Sequence, residues 1–268
     1  MRAMSVPPVE NPPWDHIDTV LLDLDGTLLD LAFDNGFWLD FIPSVYAAAR
    51  SLSVAEARAA LTPRFRACEG TLNWYCIDYW SRELGLDIEA LKRTQAHRIA
   101  WLPGARDFLS RLRGHGKRLV LLTNSHPAVL RIKDERTGVA GYLDAALSSH
   151  EFGAPKESGE FWRAVRAVEP FDPGRSLFVD DSPPVLHAAR RAGIRWVYGV
   201  RRASSAPGAW GAGRDYADIP AVDSVSDLVP ASPAVAGRDD RKSAGPGPGP
   251  NDPQSGAAGE RAPRAARV

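Results

Sequence analysis

The chain has 268 residues, and its 33 Lys and Arg balance 33 Asp and Glu for a formal net charge of zero at pH 7. That length holds one large α/β domain, or a domain with a smaller insert. The charge balance lacks the basic excess of a nucleic-acid binder, no apolar stretch reaches bilayer-spanning length, and two cysteines are too few for a disulfide scaffold.

Met1 to Asn11 is Pro-rich without an apolar core, unlike a secretory signal. Residues 1–13 read as a flexible segment, and a cytoplasmic protein with two reduced cysteines, Cys68 and Cys76, is expected. Val20-Leu21-Leu22 is a strand apolar on both faces, the pattern of a buried parallel strand. It ends in Asp23-Leu24-Asp25-Gly26-Thr27. Ligands of parallel sheets bind beyond the carboxyl ends of strands. Two carboxylates held this close need a cation or a shared proton, and Mg²⁺ suits oxygen ligands. The same residues also suit a plain acidic Gly turn.

Residues 31–101 carry about four helical patterns and no strand. Ser53 with Glu56 forms a capping box, and Asp87 follows a Gly85 stop. Beyond residue 100, strand and helix patterns alternate. Pro103 to Arg113 is helical before Gly114. Strand 118–123 ends in Thr123-Asn124-Ser125, and 145–148 is a short strand. Gly153-Ala154-Pro155-Lys156 precedes a helix over 157–168. Strand 176–180 ends in Asp180-Asp181-Ser182. Helix 183–192 closes at Gly193, strand 194–200 follows, and 216–229 fits a last strand-and-helix edge. This alternation implies a doubly wound, Rossmann-like parallel sheet, built from 14–30 and 102–230, with 31–101 as an inserted helical cap. From Ala231 to Val268 the chain is rich in Pro, Gly, Ala and Arg, with too little apolar surface to fold, and reads as a disordered tail.

Taken together, Asp-x-Asp, Thr-Asn, Lys and Asp-Asp supply a carboxylate nucleophile, phosphate donors, a fixed cation and metal ligands. Phosphoryl transfer needs such positioning and charge stabilisation. In this order the four motifs resemble those of the haloacid dehalogenase superfamily of phosphatases. The run DTVLLDLDGTLLDLAFDN at 18–35 and the segment TLNWYCIDYW at 71–80 resemble its bacterial GMP/IMP 5′-nucleotidase branch.

The resemblance implies a Mg²⁺-dependent phosphomonoesterase. Asp23 would be the nucleophile, forming an aspartyl-phosphate. Asp25 would protonate the leaving oxygen and then deprotonate water, with its main-chain carbonyl as a further metal ligand. Gly26, Thr123, Asn124 and Lys156 would hold phosphate. Asp23, Asp25, Asp180 and Asp181 would form the metal site, with Asp180 acting through a metal-bound water. Phe33, Asp34, Asn35, Asn73 and Trp74 are candidates for the substrate mouth, although aromatics such as Trp74, Tyr75, Tyr79 and Trp80 more often fill a core. None of the histidines is assigned to chemistry; His126, before Pro127, suits loop capping. The expected partner is a small phosphomonoester, a purine nucleoside 5′-monophosphate first and a sugar phosphate or other metabolite second, with no nucleic-acid polymer and no membrane. A phospho-accepting receiver module uses similar residues in a different order: its acidic pair comes first and its acceptor Asp on a later strand.

Overall fold

The computed structural model describes residues 11–206 and 215–230. The expected tail 231–268 and residues 1–10 lie outside the described residues. Six parallel strands form the sheet: β1 Thr19–Leu22, β2 Arg118–Thr123, β3 Ala145–Ser148, β4 Ser176–Asp180, β5 Trp196–Val200 and β6 Ala221–Val222. Their order is β3-β2-β1-β4-β5-β6.

Between β1 and β2 the described chain is helical: α1 Ala32–Gly36, a π-helical turn Phe37–Phe41, α2 Ile42–Arg50, α3 Val54–Cys68, α4 Leu72–Tyr75, α5 Ile77–Leu84 and α6 Ile88–Thr94. The Ser53–Glu56 capping box opens α3. The Asp87 side chain caps α6, and Gly85 closes α5 at a φ of 62°. The core helices are α7 Ala105–Gly114, α8 Pro127–Thr137, α9 Gly159–Val168 and α10 Pro183–Arg191. Two expectations shift. The segment after β6 is a 3-10 turn, Val225–Leu228, rather than a helix. Helix α8 was not expected at all.

β1 is apolar throughout because it lies mid-sheet with both faces covered. Val20 and Leu22 pack with Leu119, Leu121 and α7, including Phe108 and Leu112. Leu21 packs on the opposite face with Leu122, Phe178 and residues of α9 and α10. Each such side chain contributes about 1.5–3 kcal/mol by leaving water. A third cluster joins Phe37, Leu61, Phe65, Ile77 and Trp80 of the helical insert to Ala128 and Val129 of α8.

β1 pairs with β2 on one side and β4 on the other. The chain therefore reverses its winding about β1. The loops beyond β1, β2 and β4 open at one edge, the crevice where such sheets bind ligands.

Candidate active site

β1 delivers Asp23 to this crevice, and the Asp23 amide donates to Val179 O at 3.0 Å, extending the ladder. β4 delivers Asp180 and Asp181. Ligand oxygens of Asp23, Asp180 and Asp181 lie within 4.8 Å of one another, and all three residues are buried. Lys156 arrives from the loop after β3. Its Nζ donates to Asp23 Oδ1 at 2.5 Å, Asp180 Oδ2 at 2.7 Å and Leu122 O at 3.0 Å. Burial pushes the Asp23 and Asp180 carboxyls up to about 6, against the pull of Lys156.

Lys156 pairs with two of the three carboxylates, Asp23 and Asp180. The donors of the cluster are oxygens, and a divalent hard cation would offset the repulsion among them. Asp23, Asp180 and Asp181 therefore fit Mg²⁺ on donor chemistry.

Asp25 turns elsewhere. Its Oδ1 accepts from Lys133 Nζ at 2.6 Å, and the same ammonium donates to Asp34 Oδ2 at 2.8 Å. Asp34 Oδ1 accepts from Lys92 Nζ at 2.7 Å. Two acids and two lysines thus form a self-neutral chain from the β1 loop through the insert to α8. Burial raises the Asp25 carboxyl to about 6, although Lys133 pulls it down. Burial also acts upward on Asp34, but Lys133 and Lys92 outweigh it and hold that carboxyl well below the usual range.

A cavity of about 520 Å³ stands over both clusters, within the usual range for small-ligand sites. Core residues Asp23, Thr123 and Lys156 line it, and so do Asn35, Trp74 and Tyr75 of the insert.

Residues 17–193 match the model of the haloacid dehalogenase-like hydrolases. The chain belongs to the haloacid dehalogenase-like hydrolase family. It is similar to the GMP/IMP nucleotidase YrfG of Escherichia coli, with 44% identity over 195 residues, covering 73% of this chain and 88% of that protein. It is 30% identical over 203 residues to enolase-phosphatase E1 of Gluconacetobacter diazotrophicus, covering 70% and 85% of the two chains. Among solved structures, a HAD phosphatase from Thermococcus onnurineus superposes with a TM-score of 0.65 at 21% identity, covering 79% of this chain and 96% of that one. L-2-haloacid dehalogenase from Xanthobacter autotrophicus shares the fold at a TM-score of 0.52 and 19% identity, covering 79% and 96%.

Several side chains of this haloacid dehalogenase-like site are placed differently from expectation. The Asp25 carboxylate stands with Lys133, outside the three-carboxylate cluster of Asp23, Asp180 and Asp181. The Gly26 amide donates to Leu29 O at 2.7 Å rather than into the cavity. This glycine provides space instead: its φ is +87°, and a Cβ there would meet Asp181 Oδ2 at 2.5 Å. The Asn124 side chain braces the lysine loop, accepting from the Lys156 amide at 2.9 Å and donating to Glu157 Oε2 at 3.0 Å. Phe33 is buried in the core, with Lys92 Nζ 4.8 Å from its ring centroid, and does not line the cavity. Asp34 lines it but is held by the two lysines. Asn73 is exposed and does not line the cavity. Trp74 lines it while packing edge-on against Phe65, with centroids 6.3 Å apart. Asn35 reaches the cavity with a buried Nδ2 that has no hydrogen-bond partner among the described residues.

Sequence reasoning missed Lys92, Lys133 and Glu157, and placed Tyr75 among the aromatics that more often fill a core. The two lysines share a signal: each sits four residues after one apolar residue and one after another, in Ile88-x-x-Leu91-Lys92 and Val129-x-x-Ile132-Lys133. A lysine on the apolar stripe of a helix is a candidate buried cation. Tyr75 Oη donates to Glu157 Oε1 at 2.7 Å, joining the insert to the loop that carries Lys156.

Proposed function

We propose that this protein is a Mg²⁺-dependent phosphomonoesterase acting on purine nucleoside 5′-monophosphates through an aspartyl-phosphate. The observation carrying the chemistry is the pairing of Asp23, beside Lys156 and the buried carboxylate cluster, with Asp25 on a separate cation. Similarity to the GMP/IMP nucleotidase carries the substrate class.

An Asp23 oxygen attacks phosphorus, and the bond from phosphorus to the ester oxygen breaks. Asp25, protonated, gives its proton to that oxygen, and the nucleoside leaves. Asp25, now a carboxylate, takes a proton from water as the water oxygen attacks the phosphoryl group. The bond from phosphorus to the Asp23 oxygen breaks, phosphate leaves, and Asp23 and Asp25 return to their starting forms. A carboxyl near pH 6 can serve in both directions at neutral pH, as this cycle requires. Lys156, with its three N–H donors on Asp23, Asp180 and Leu122 O, holds Asp23 in place and sets a positive charge beside the transferring group, and Thr123 lines the same cavity. Mg²⁺, held by Asp23, Asp180 and Asp181, would neutralise charge on the transferring group. Trp74 would offer an aromatic face to the base, and the free Asn35 amide a donor to the nucleoside.

The test is phosphate release from GMP, IMP, pyrimidine nucleotides and sugar phosphates with Mg²⁺, alongside Asp23→Asn. Preferential purine nucleotide turnover, lost in Asp23→Asn, is expected. Equal or better turnover of sugar phosphates would overturn the substrate assignment, and an active, folded Asp23→Asn protein would overturn the nucleophile.

A further inference from the structure

Cys76, His126 and His150 come from three separate elements and meet beside the cavity. Cys76 precedes α5 in the helical insert, His126 opens α8, and His150 lies in the 3-10 turn Ser149–Phe152 after β3. One ligand atom from each lies within 4.8 Å of the other two. The imidazole rings stand edge to face, 4.9 Å apart between centroids at 73°. The cluster contains a thiol and two imidazoles and so differs in kind from the carboxylate site.

We propose that these three residues form a second metal site, for a borderline-soft divalent cation of the zinc class, which fastens the helical insert to the core. Thiolate and imidazole nitrogen are preferred zinc ligands, whereas Mg²⁺ favours oxygen. In a tetrahedral zinc site ligand atoms stand about 3.3–3.8 Å apart, as bond lengths of about 2.0–2.3 Å require.

The His150 Nε2 supplies an independent indication. It is buried and makes no well-formed hydrogen bond among the described residues, with the Asn124 and Tyr75 backbones near the ring, a costly state for a polar atom. A cation at this nitrogen removes that cost. His126 Nδ1 accepts from the Ala128 amide at 3.3 Å, and its Nε2 lies 3.5 Å from Asp78 Oδ2. Both contacts are long. A cation on Nδ1 displaces the Ala128 amide and leaves Nε2–H to donate to Asp78, which orients the ring as outer carboxylates of metal-bound histidines do. Cys76 Sγ accepts from the Tyr79 amide at 3.4 Å; on binding, the thiol gives its proton to solvent and ligates as thiolate.

The site's location gives the cation an effect. His126 is two residues beyond Asn124, so the metal would join the insert to the loop beside Thr123. An insert held down in this way retains product, so zinc slows turnover without entering the carboxylate site.

Co²⁺ titrated into untagged full-length protein, with Mg²⁺ saturating, tests this directly. One equivalent should bind with a thiolate-to-cobalt charge-transfer band, which carboxylates cannot produce, and Zn²⁺ should displace it. Cys76→Ser and His150→Gln should abolish the band; Cys68→Ser should keep it. Serine is a good N-cap, so Cys76→Ser should retain Mg²⁺-supported turnover within about twofold, with zinc inhibition at least tenfold weaker. Absence of the band, its survival in Cys76→Ser, or unchanged zinc inhibition in that variant would overturn the proposal.

Discussion

The Lys133 ammonium lies 2.6 Å from Asp25 and 2.8 Å from Asp34, joining the proposed acid–base residue to the helical insert through one buried cation. Lys133 is therefore a positioning residue: it sets where the Asp25 carboxyl points and at what pH it titrates.

Lys133→Met tests that role. Lys133 opposes the burial that raises Asp25, so removing it moves the Asp25 carboxyl above about 6. The carboxylate is the form that takes a proton from water. The acidic limb of kcat should thus shift to higher pH, with kcat at pH 6 about fivefold lower for the first unit moved and about tenfold lower for each further unit. A reduced kcat with an unmoved limb would mark Lys133 as purely structural.

Asp34→Asn should destabilise the fold by about 3–5 kcal/mol, since Lys92 is then buried without its carboxylate. The native Asp34 carboxyl is depressed, so its stabilisation is present above the unfolded carboxyl's range near pH 4 and fades as pH falls through the lower native value. The difference in Tm between the two proteins should therefore stay nearly constant from pH 8 to 5 and shrink only in stronger acid. A difference that closes near neutrality would contradict the ion-pair assignment.

Asp181→Ala should raise the Mg²⁺ concentration needed for half-maximal activity. Gly26→Ala should act in the same direction, because its Cβ would displace the Asp181 carboxylate. Mg²⁺ titrations of both variants check this; a normal curve for Asp181→Ala would argue against direct ligation.

Trp74→Ala should cost about 1–3 kcal/mol on a nucleotide if the ring stacks on the base. That is a loss of roughly ten- to hundredfold in kcat/KM. p-Nitrophenyl phosphate, which has no purine, should lose less. Equal losses on GMP, IMP and the ester would identify Trp74 as packing for Phe65 alone.

The carboxylate cluster was legible because each member follows an apolar strand, and parallel topology brings such strand ends together. Asp23, Asp180, Asp181 and Lys156 accordingly meet as expected. Lys133 was hidden because helix α8 itself went unread, and because its partners Asp25 and Asp34 lie 108 and 99 residues away in sequence. Lone lysines read as solvated charges until tertiary packing buries them. Asn124 illustrates a different limit: its place was correct, but neighbouring Glu157 and the Lys156 backbone claimed its amide. Cys76, His126 and His150 have no ligand spacing in sequence, since only the docking of the insert on α8 and the β3 loop brings them together.

Helix α8 is shared between two apolar clusters. Ala128 and Val129 belong to that of the insert, whereas Ile132 belongs to that of the sheet. A helix so divided is a common wall, and the insert cannot tilt without dragging it. Lys133 lies on that wall, and the Thr123–Ser125 loop is anchored at its start. On the proposed mechanism, a rotation of the insert that carried α8 with it would also move the ammonium paired with Asp25.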